Sequence, residues 1–472
     1  MLKSMIAAAL AMLMAGAAAA QAPTEVLFRN VRVFDGQSDR LTELTQVLVR
    51  GNRIAAIGLT VPAAPDATVV DGAGRTLMPG LIDAHWHTIL VRPTAEQAIY
   101  GDVGLTNLIA GVEARATLMR GFTSVRDLGG PSFGLKQAID SGVVEGPRIW
   151  PSGAMITVTS GHGDFRMLSE LPRDASRPLS RMEQIGGSMV ADSPDTVRQR
   201  VREQLMLGAS QIKLTAGGGV SSPHSPLDVS TFTSEELKAA VDAATNWGTY
   251  VTVHAYTPKA VRLAIDAGVK VIEHAHLIDD ATAAYMAGKG IWLSTQPFLA
   301  EEGSAFPPGS AQYLKQKEVF NGTEVIYGLV RKYRLKTAFG TDILFSESQA
   351  RRQGAMLVAM TRWFTSAETL RMATSTNGEL LALSGLRSPY EGKLGVVEEG
   401  ALADLLLVDG DPIANIRLIE DPERNFRVIM KDGRIYKNSL RERTGCACGG
   451  VGTLASRLHG GNLPFANESE RP

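Results

Sequence analysis

Two histidines one residue apart close a short apolar run, Met78-Pro79-Gly80-Leu81-Ile82-Asp83-Ala84-His85-Trp86-His87. Side chains on a strand alternate between its faces, so both imidazoles point the same way and could grip one metal ion. Alone, the pair reads equally well as exposed or core histidines. The other candidates lie downstream: Lys213, His254, His274 and Asp342, each ending or following an apolar run that reads as a strand. In a barrel of alternating strands and helices those ends share one mouth, where catalytic residues gather. Each has a bland reading: His254 as a hydrogen-bonded core histidine, Lys213 as a pocket cation, Asp342 as a cap for the next helix. Coincidence explains such residues poorly when they recur at corresponding places.

The residue types suit one chemistry. Two divalent ions can share a hydroxide and polarise a carbonyl, and imidazole suits zinc and similar borderline metals. His85 and His87 would hold one ion with Asp342 beneath it, and His254 and His274 the other. An ammonium cannot ligate a metal. Lys213 fits if CO₂ converts it to a carbamate, N6-carboxylysine, whose two oxygens bridge both ions.

The elements that must position these residues follow from the pattern. From residue 81 onward helical and strand patterns alternate. Asp195 to Leu207 is helical before the strand 211–214. Thr233 and Glu236 form a capping-box pattern opening a helix to about 246, before the strand 250–254. Helices at 259–267, 280–287 and 324–333 precede strands at 269–274, 291–295 and 336–340. Such alternation predicts an α/β fold, a (β/α)8 TIM-like barrel over residues 79–387. Short strands with Asp-Gly and Gly-Asn turns fill 24–78, and a β pattern returns near 388–438. The two β-rich ends are expected to pack together as a small β-sandwich domain, and 441–472 reads as a poorly ordered tail.

At 472 residues the chain can bury a large core, and its net charge of −1 offers no basic stripe, so nucleic acid is not an expected partner. The start, Met1-Leu2-Lys3 followed by an Ala-rich apolar run to Ala20, reads as a signal peptide, 1–20. Secreted or periplasmic export is therefore expected, with no membrane segment in the mature form. The two cysteines, Cys446 and Cys448, make no disulfide framework.

The set of pieces resembles the amidohydrolase superfamily over roughly residues 24–438. Besides the run ending in His85 and His87, it is carried by Gly121–Asp127, Lys213, His254, His274, Gly340-Thr341-Asp342 and the stretch Gly395–Pro412. Ser160–Asp164, Lys213–Val220 and His254-Ala255-Tyr256 resemble the binuclear branch of prolidase-like dipeptidases, Xaa-Lys/Arg carboxypeptidases and ochratoxinase. The resemblance implies that Asp342 shuttles a proton from the nucleophile to the leaving amine, a role within reach of a metal-bound carboxylate. It implies that Tyr256 donates to the oxyanion, with a packing rim tyrosine as the alternative. His162 would bind a substrate carboxylate or assist the oxyanion, or be a loop histidine held between its glycines. His224 reads as a loop residue and His276 as lying outside the ligand set. Gly217-Gly218-Gly219 is no phosphate loop and would let the backbone pass close to the metals.

The expectation is an exported, homo-oligomeric amidohydrolase with two divalent ions, Zn first among them, cleaving an amide beside a free carboxylate. A dipeptide, an N-acyl amino acid or an ochratoxin-like amide would suit. A mononuclear cyclic amidase or deaminase and a non-catalytic barrel scaffold are the alternatives. The loop 302–322 and the segment 161–190 are expected to shape the mouth.

Overall fold

The computed structural model describes residues 24–172, 178–222, 224–299 and 306–440. The readings made for 1–20 and 441–472 lie outside the described residues.

The chain opens with β1 (Glu25–Val33), β2 (Thr45–Arg50), β3 (Arg53–Gly58), β4 (Thr68–Asp71) and β5 (Thr76–Pro79). The first half of β1 pairs with β2 and β4, its second half with β5. A register shift between Phe28 and Val31 marks the change of partners, and Asn30 there has φ 54°. Asparagine tolerates that left-handed backbone better than most residues.

Gly80 alone separates β5 from β6 (Leu81–Trp86), which leads to the histidine pair. Next come β7 (Phe122–Asp127), β8 (Arg148–Pro151), β9 (Met155–Thr157), β10 (Ser188–Val190) and β11 (Ile212–Thr215). They are followed by β12 (Val251–Ala255), β13 (Val271–His274), β14 (Trp292–Thr295) and β15 (Lys336–Phe339). The order β6-β7-β8 is parallel, as is β10-β9-β11-β12-β13-β14-β15. Ser210 N–H donates to Pro151 O at 2.7 Å, joining β8 to the start of β11. At the other seam Asp342 N–H donates to His85 O at 2.8 Å. β6, β7, β8 with β9, and β11 to β15 thus form the staves of a closed barrel, with β10 as an extra edge.

The helices between the staves show why they form. Thr233 and Glu236 cap each other reciprocally at the start of Ser234–Asn246. The helix Pro194–Leu207 starts with Ser193 as cap and proline in its first turn, and ends at Gly208 with φ 103°. The helix Pro258–Asp266 buries Ala260, Val261, Ala264 and Ile265, one face against the barrel.

Three stretches differ from the sequence reading. The helix expected from 324 runs Ala311–Tyr333, with Ser310 accepting from Tyr313 N–H at 3.2 Å. Its early buried positions are Val319, Gly322 and Thr323, too weakly apolar to show a helical period. Residues 366–384 read from the sequence as a helical stretch, and the structure interrupts it with a π-helical turn, Met372–Thr376. Between 95 and 157 the helices Val103–Met119 and Phe133–Asp140 alternate with β7 to β9, none of which the periodicity resolves. No helix among the described residues is long and apolar enough to cross a membrane.

The chain then returns through β16 (Leu405–Val408), β17 (Phe426–Lys431) and β18 (Arg434–Asn438). β16 pairs antiparallel with β5, giving the order β18-β17-β16-β5-β1-β2-β3, with β4 on β1. Strands from both ends of the chain therefore share one sheet, bent where β1 changes partners.

Candidate metal centre and active-site cavity

The strand ends bring His85, His87, Lys213, His254, His274 and Asp342 to one cavity of about 570 Å³, which His162 and Tyr256 also line. The histidine side chains of the group form a chain of rings. Centroids lie 5.4 Å apart for His85 and His87, 5.0 Å for His85 and His274, and 4.4 Å for His254 and His274. Asp342 Oδ1 lies 3.2 Å from His85 Nε2 and 3.1 Å from His87 Nε2. His85, His87 and Asp342 together have the spacing of a metal-holding group.

Each imidazole has one nitrogen occupied by the protein. His85 Nδ1 faces Glu273 Oε2 at 2.9 Å, and His87 Nδ1 faces Gly129 O at 3.1 Å. His254 Nε2 faces Gly218 O at 2.8 Å, and His274 Nδ1 faces Gln296 Oε1 at 2.7 Å. Gly129 O, Gly218 O and Gln296 Oε1 are acceptors, so His87, His254 and His274 donate there; His254 Nδ1 and His274 Nε2 keep their lone pairs, while His85 and His87 both present Nε2 to Asp342 Oδ1. Such outer partners orient metal-binding imidazoles and fix their tautomers. Burial pushes the pKa of His254 and of His274 well below the usual value, favouring the neutral, ligating form. His85 goes the other way: burial works most strongly against its charge, but Asp342 and Glu273 together raise its pKa.

Asp342 owes its position to two devices. Its backbone is left-handed, φ 53°, a strained conformation for a residue with a side chain. Beside it Thr341 donates to Asp83 through N–H at 3.1 Å and Oγ1 at 2.7 Å, while His85 N–H donates to the same carboxylate at 3.0 Å. Asp83 thus ties the histidine strand to the Asp342 turn. Burial raises the Asp342 pKa, but the histidines around it prevail and hold it well below the carboxylate range.

Lys213 is 2% exposed on β11, and burial brings its pKa down to about 8. Under the centre lies an ion pair with neither side chain exposed, Arg126 Nη2 to Glu273 Oε1 at 2.7 Å. Glu273 and His274 are consecutive, yet both reach His85. The left-handed backbone of His274, φ 76°, breaks the strand alternation at that point.

Tyr256 is buried with its ring 4.9 Å from His254 and 5.1 Å from His274, and burial raises its pKa. His162 stacks on His254 at 4.2 Å, and its Nδ1 lies 2.9 Å from Ser222 Oγ. Ser222 Oγ accepts from Gly163 N–H at 3.0 Å and can give its own proton to Nδ1, the tautomer in which Nε2 of His162 is a donor. Burial lowers the His162 pKa to about 3, so the ring is neutral. The glycines after Lys213 make room: a Cβ on Gly219 would lie 2.0 Å from His162 Nδ1. Outside the cavity lining, His276 packs on Phe298 and meets Gln296 O, while His224 O accepts from Ser160 Oγ.

Asp83, Glu273, Gln296 and Arg126 escaped the sequence reading. Asp83 carried a usable signal, since it lies two residues before His85 and shares its strand face. Nothing local marks Gln296 or Glu273 as partners of histidines distant in the chain. Both segments expected at the mouth contribute: Phe165 and Met182 from one, Phe306, Gln316, Val319 and Phe320 from the other.

Residues 76–437 match the model of the amidohydrolase family. Ochratoxinase of Aspergillus niger is 30% identical over 379 residues, covering 76% of this chain and 75% of that protein. A crystal structure of a prolidase complexed with N-methylphosphonate-L-proline superposes with a TM-score of 0.80 at 32% identity, covering 88% of this chain and 100% of the other. A Xaa-Pro dipeptidase with methionine bound in its active site gives 0.75 at 29% identity, with the same coverages.

Proposed function

This chain belongs to the amidohydrolase family, hydrolases of amide and peptide C–N bonds, and from that premise we propose that it is an exported, binuclear metal-dependent enzyme. Its substrate in this reading is an amide adjacent to a free carboxylate: a dipeptide, an N-acyl amino acid or an ochratoxin-like amide. The observation that carries the reading is the set of four buried imidazoles, each held through one nitrogen by a separate protein group, gathered with Asp342 and Lys213 on one cavity.

His85, His87 and Asp342 would hold one ion and His254 and His274 the other, with Lys213 as N6-carboxylysine between them. When bound, two ions of zinc type supply an activated water and a Lewis acid for the carbonyl. Asp342, ionised and beside His85 and His87, takes the proton of the attacking water and returns it to the leaving amine. Tyr256 keeps its proton and donates to the oxygen that gains charge. His162, neutral, would receive the substrate carboxylate or the same oxyanion through Nε2–H in the tautomer where Ser222 donates to Nδ1. The prolidase and ochratoxinase likenesses support an amide of this kind.

Export rests on the composition of residues 1–20, and a homo-oligomer on the family resemblance. Mass spectrometry of the protein expressed with its first residues should find a mature start near Gln21, and light scattering a particle larger than one chain.

The test of the catalytic reading is metal removal. Chelation should abolish hydrolysis, zinc should restore it, and the active form should carry two ions per chain. A fully active form with one ion would favour the mononuclear alternative, and full activity in Lys213→Ala would overturn the bridging carbamate.

A further inference from the structure

The loop that follows Lys213 is pinned at its root. Thr231 N–H donates to Ala216 O at 3.1 Å, Thr231 Oγ1 donates to Thr215 O at 2.6 Å, and Gly217 and Ser230 form an isolated antiparallel bridge. Between those ends the loop gives the site two contacts: Gly218 O to His254 Nε2 and Ser222 Oγ to His162 Nδ1. Its middle is held from outside the loop. Lys315 Nζ, on the helix Ala311–Tyr333, donates to Gly219 O at 2.7 Å, to Ser222 O at 2.7 Å and to Ser225 O at 3.1 Å.

Three carbonyls, each three residues from the next, thus point at one nitrogen. A lysine ammonium has three donors and no acceptor, so donors and carbonyls match in number. Ser222 and Ser225 are buried, and buried carbonyls need a donor. Convergent backbone carbonyls of this kind replace the hydration shell of a monovalent cation, and a charged donor makes the stronger class of hydrogen bond. The loop's glycines let it coil tightly but lend it no stiffness; a Cβ on Gly218 would lie 1.5 Å from Pro226 O. Val319 and Phe320, one turn beyond Lys315, line the cavity, so the ammonium ties the loop to the cavity wall.

We propose that Lys315 is a positioning residue whose ammonium stands in for a bound monovalent cation. It draws the carbonyls of Gly219, Ser222 and Ser225 onto one point, and so holds Gly218 O against His254 and Ser222 Oγ against His162. The tether rests on this geometry; its effect on turnover rests on the amide-hydrolase reading.

Lys315→Ala removes the ammonium and leaves room for a small cation, whereas Lys315→Met removes the charge and keeps a side chain in that room. Hydrogen exchange of the metal-free protein, followed by mass spectrometry, reads the loop without turnover. Amides of residues 216–231 should exchange about 10- to 100-fold faster in both variants, the scale of a hydrogen bond to a charged group. Ammonium chloride should restore slow exchange in Lys315→Ala, and tetramethylammonium chloride, which has no N–H to give, should not. Lys315→Met should respond to neither salt. In the zinc-loaded protein, kcat/KM for the best substrate in a panel of dipeptides and N-acetyl amino acids should fall about tenfold in Lys315→Ala. Ammonium should bring it back, a rescue that a side chain serving only as packing would not show. Circular dichroism and zinc content show whether each variant is folded and loaded, and if Lys315→Ala does not fold, exchange in Lys315→Met decides. Loop exchange in the folded variants within about twofold of the parent, or an equal response of Lys315→Ala to the two salts, would overturn the proposal. Loop exchange that ammonium restores, beside a loaded parent protein that cleaves no member of the panel, would instead sink the amide-hydrolase reading and leave the tether in place.

Discussion

Lys213 is the residue whose chemistry depends most on its surroundings. Burial holds its pKa at about 8, against Glu273 and Asp342, which favour the charged form. Only the neutral amine attacks CO₂, and the neutral fraction of Lys213 grows as pH rises through about 8. Metal-free protein should therefore regain activity with zinc faster at pH 8.5 than at pH 6.5, and faster with added bicarbonate. A stopped assay of regained activity against time measures this, and indifference to bicarbonate at both pH values would remove the carbamate. Tyr256 makes a second residue-scale prediction. Tyr256→Phe keeps the ring against His254 and His274 but loses the hydroxyl, so kcat should fall about 100-fold with KM little changed. Glu273 touches neither substrate nor ion in this reading and acts through His85. Glu273→Gln leaves Arg126 beside an uncharged partner and weakens the hold on His85 Nδ1. Metal affinity, read by competition with a chromogenic chelator, should fall about 10- to 100-fold.

At the scale of elements, the turn between β15 and Asp342 positions the carboxylate by close contact. A Cβ on Gly340 would lie 2.6 Å from His85 Cβ and 2.7 Å from His85 N, so neither side can yield without moving the histidine strand. Gly340→Ala should cost roughly 1–3 kcal/mol and lower metal content, both measurable on the purified variant. Gly134→Ala, where an added Cβ meets nothing, should do neither. This turn was legible in the sequence as Gly340-Thr341-Asp342, and so were the strands β11 to β15 with their caps and glycine stops. Those strands are bounded by amphipathic helices with clear signals. Helix Val103–Met119 gave no such period, because Leu105, Leu108 and Val112 are apolar and exposed while Glu113 and Thr117 are buried. The ligand set could be read because it falls at strand ends. Its supports, Asp83 to Thr341 and His274 to Gln296, could not, since they join segments through folded geometry alone.

Across the whole molecule, the barrel and the bent sheet meet where the histidine strand begins. Gly80 N–H donates to Asp404 O at 2.8 Å, at the one-residue junction of β5 and β6. The Asp404 side chain accepts from Arg148 Nε of β8 at 2.9 Å and from Asp432 N–H at 2.7 Å, and Arg148 Nη2 also reaches Asp432 at 2.6 Å. Arg148 and Asp404 are 5% and 3% exposed, so losing Asp404 leaves a buried Arg148 with only the solvent-exposed Asp432 as its carboxylate partner. Asp404→Ala should therefore cost up to about 3 kcal/mol, read as a lower urea midpoint. Because the 404 backbone also accepts from Gly80 N–H, any shift of residue 404 on losing its side-chain ties should loosen the strand that ends in His85 and His87 and reduce zinc retention. The double variant Arg148→Met with Asp404→Leu separates two roles. If the pair mainly neutralises itself, the double variant should be more stable than Asp404→Ala and should recover zinc. If the pair is what holds β8 to the sheet, the double variant should be no better than the single one, and zinc loss should persist. The backbone bond from Gly80 survives in both variants, so the first outcome is expected.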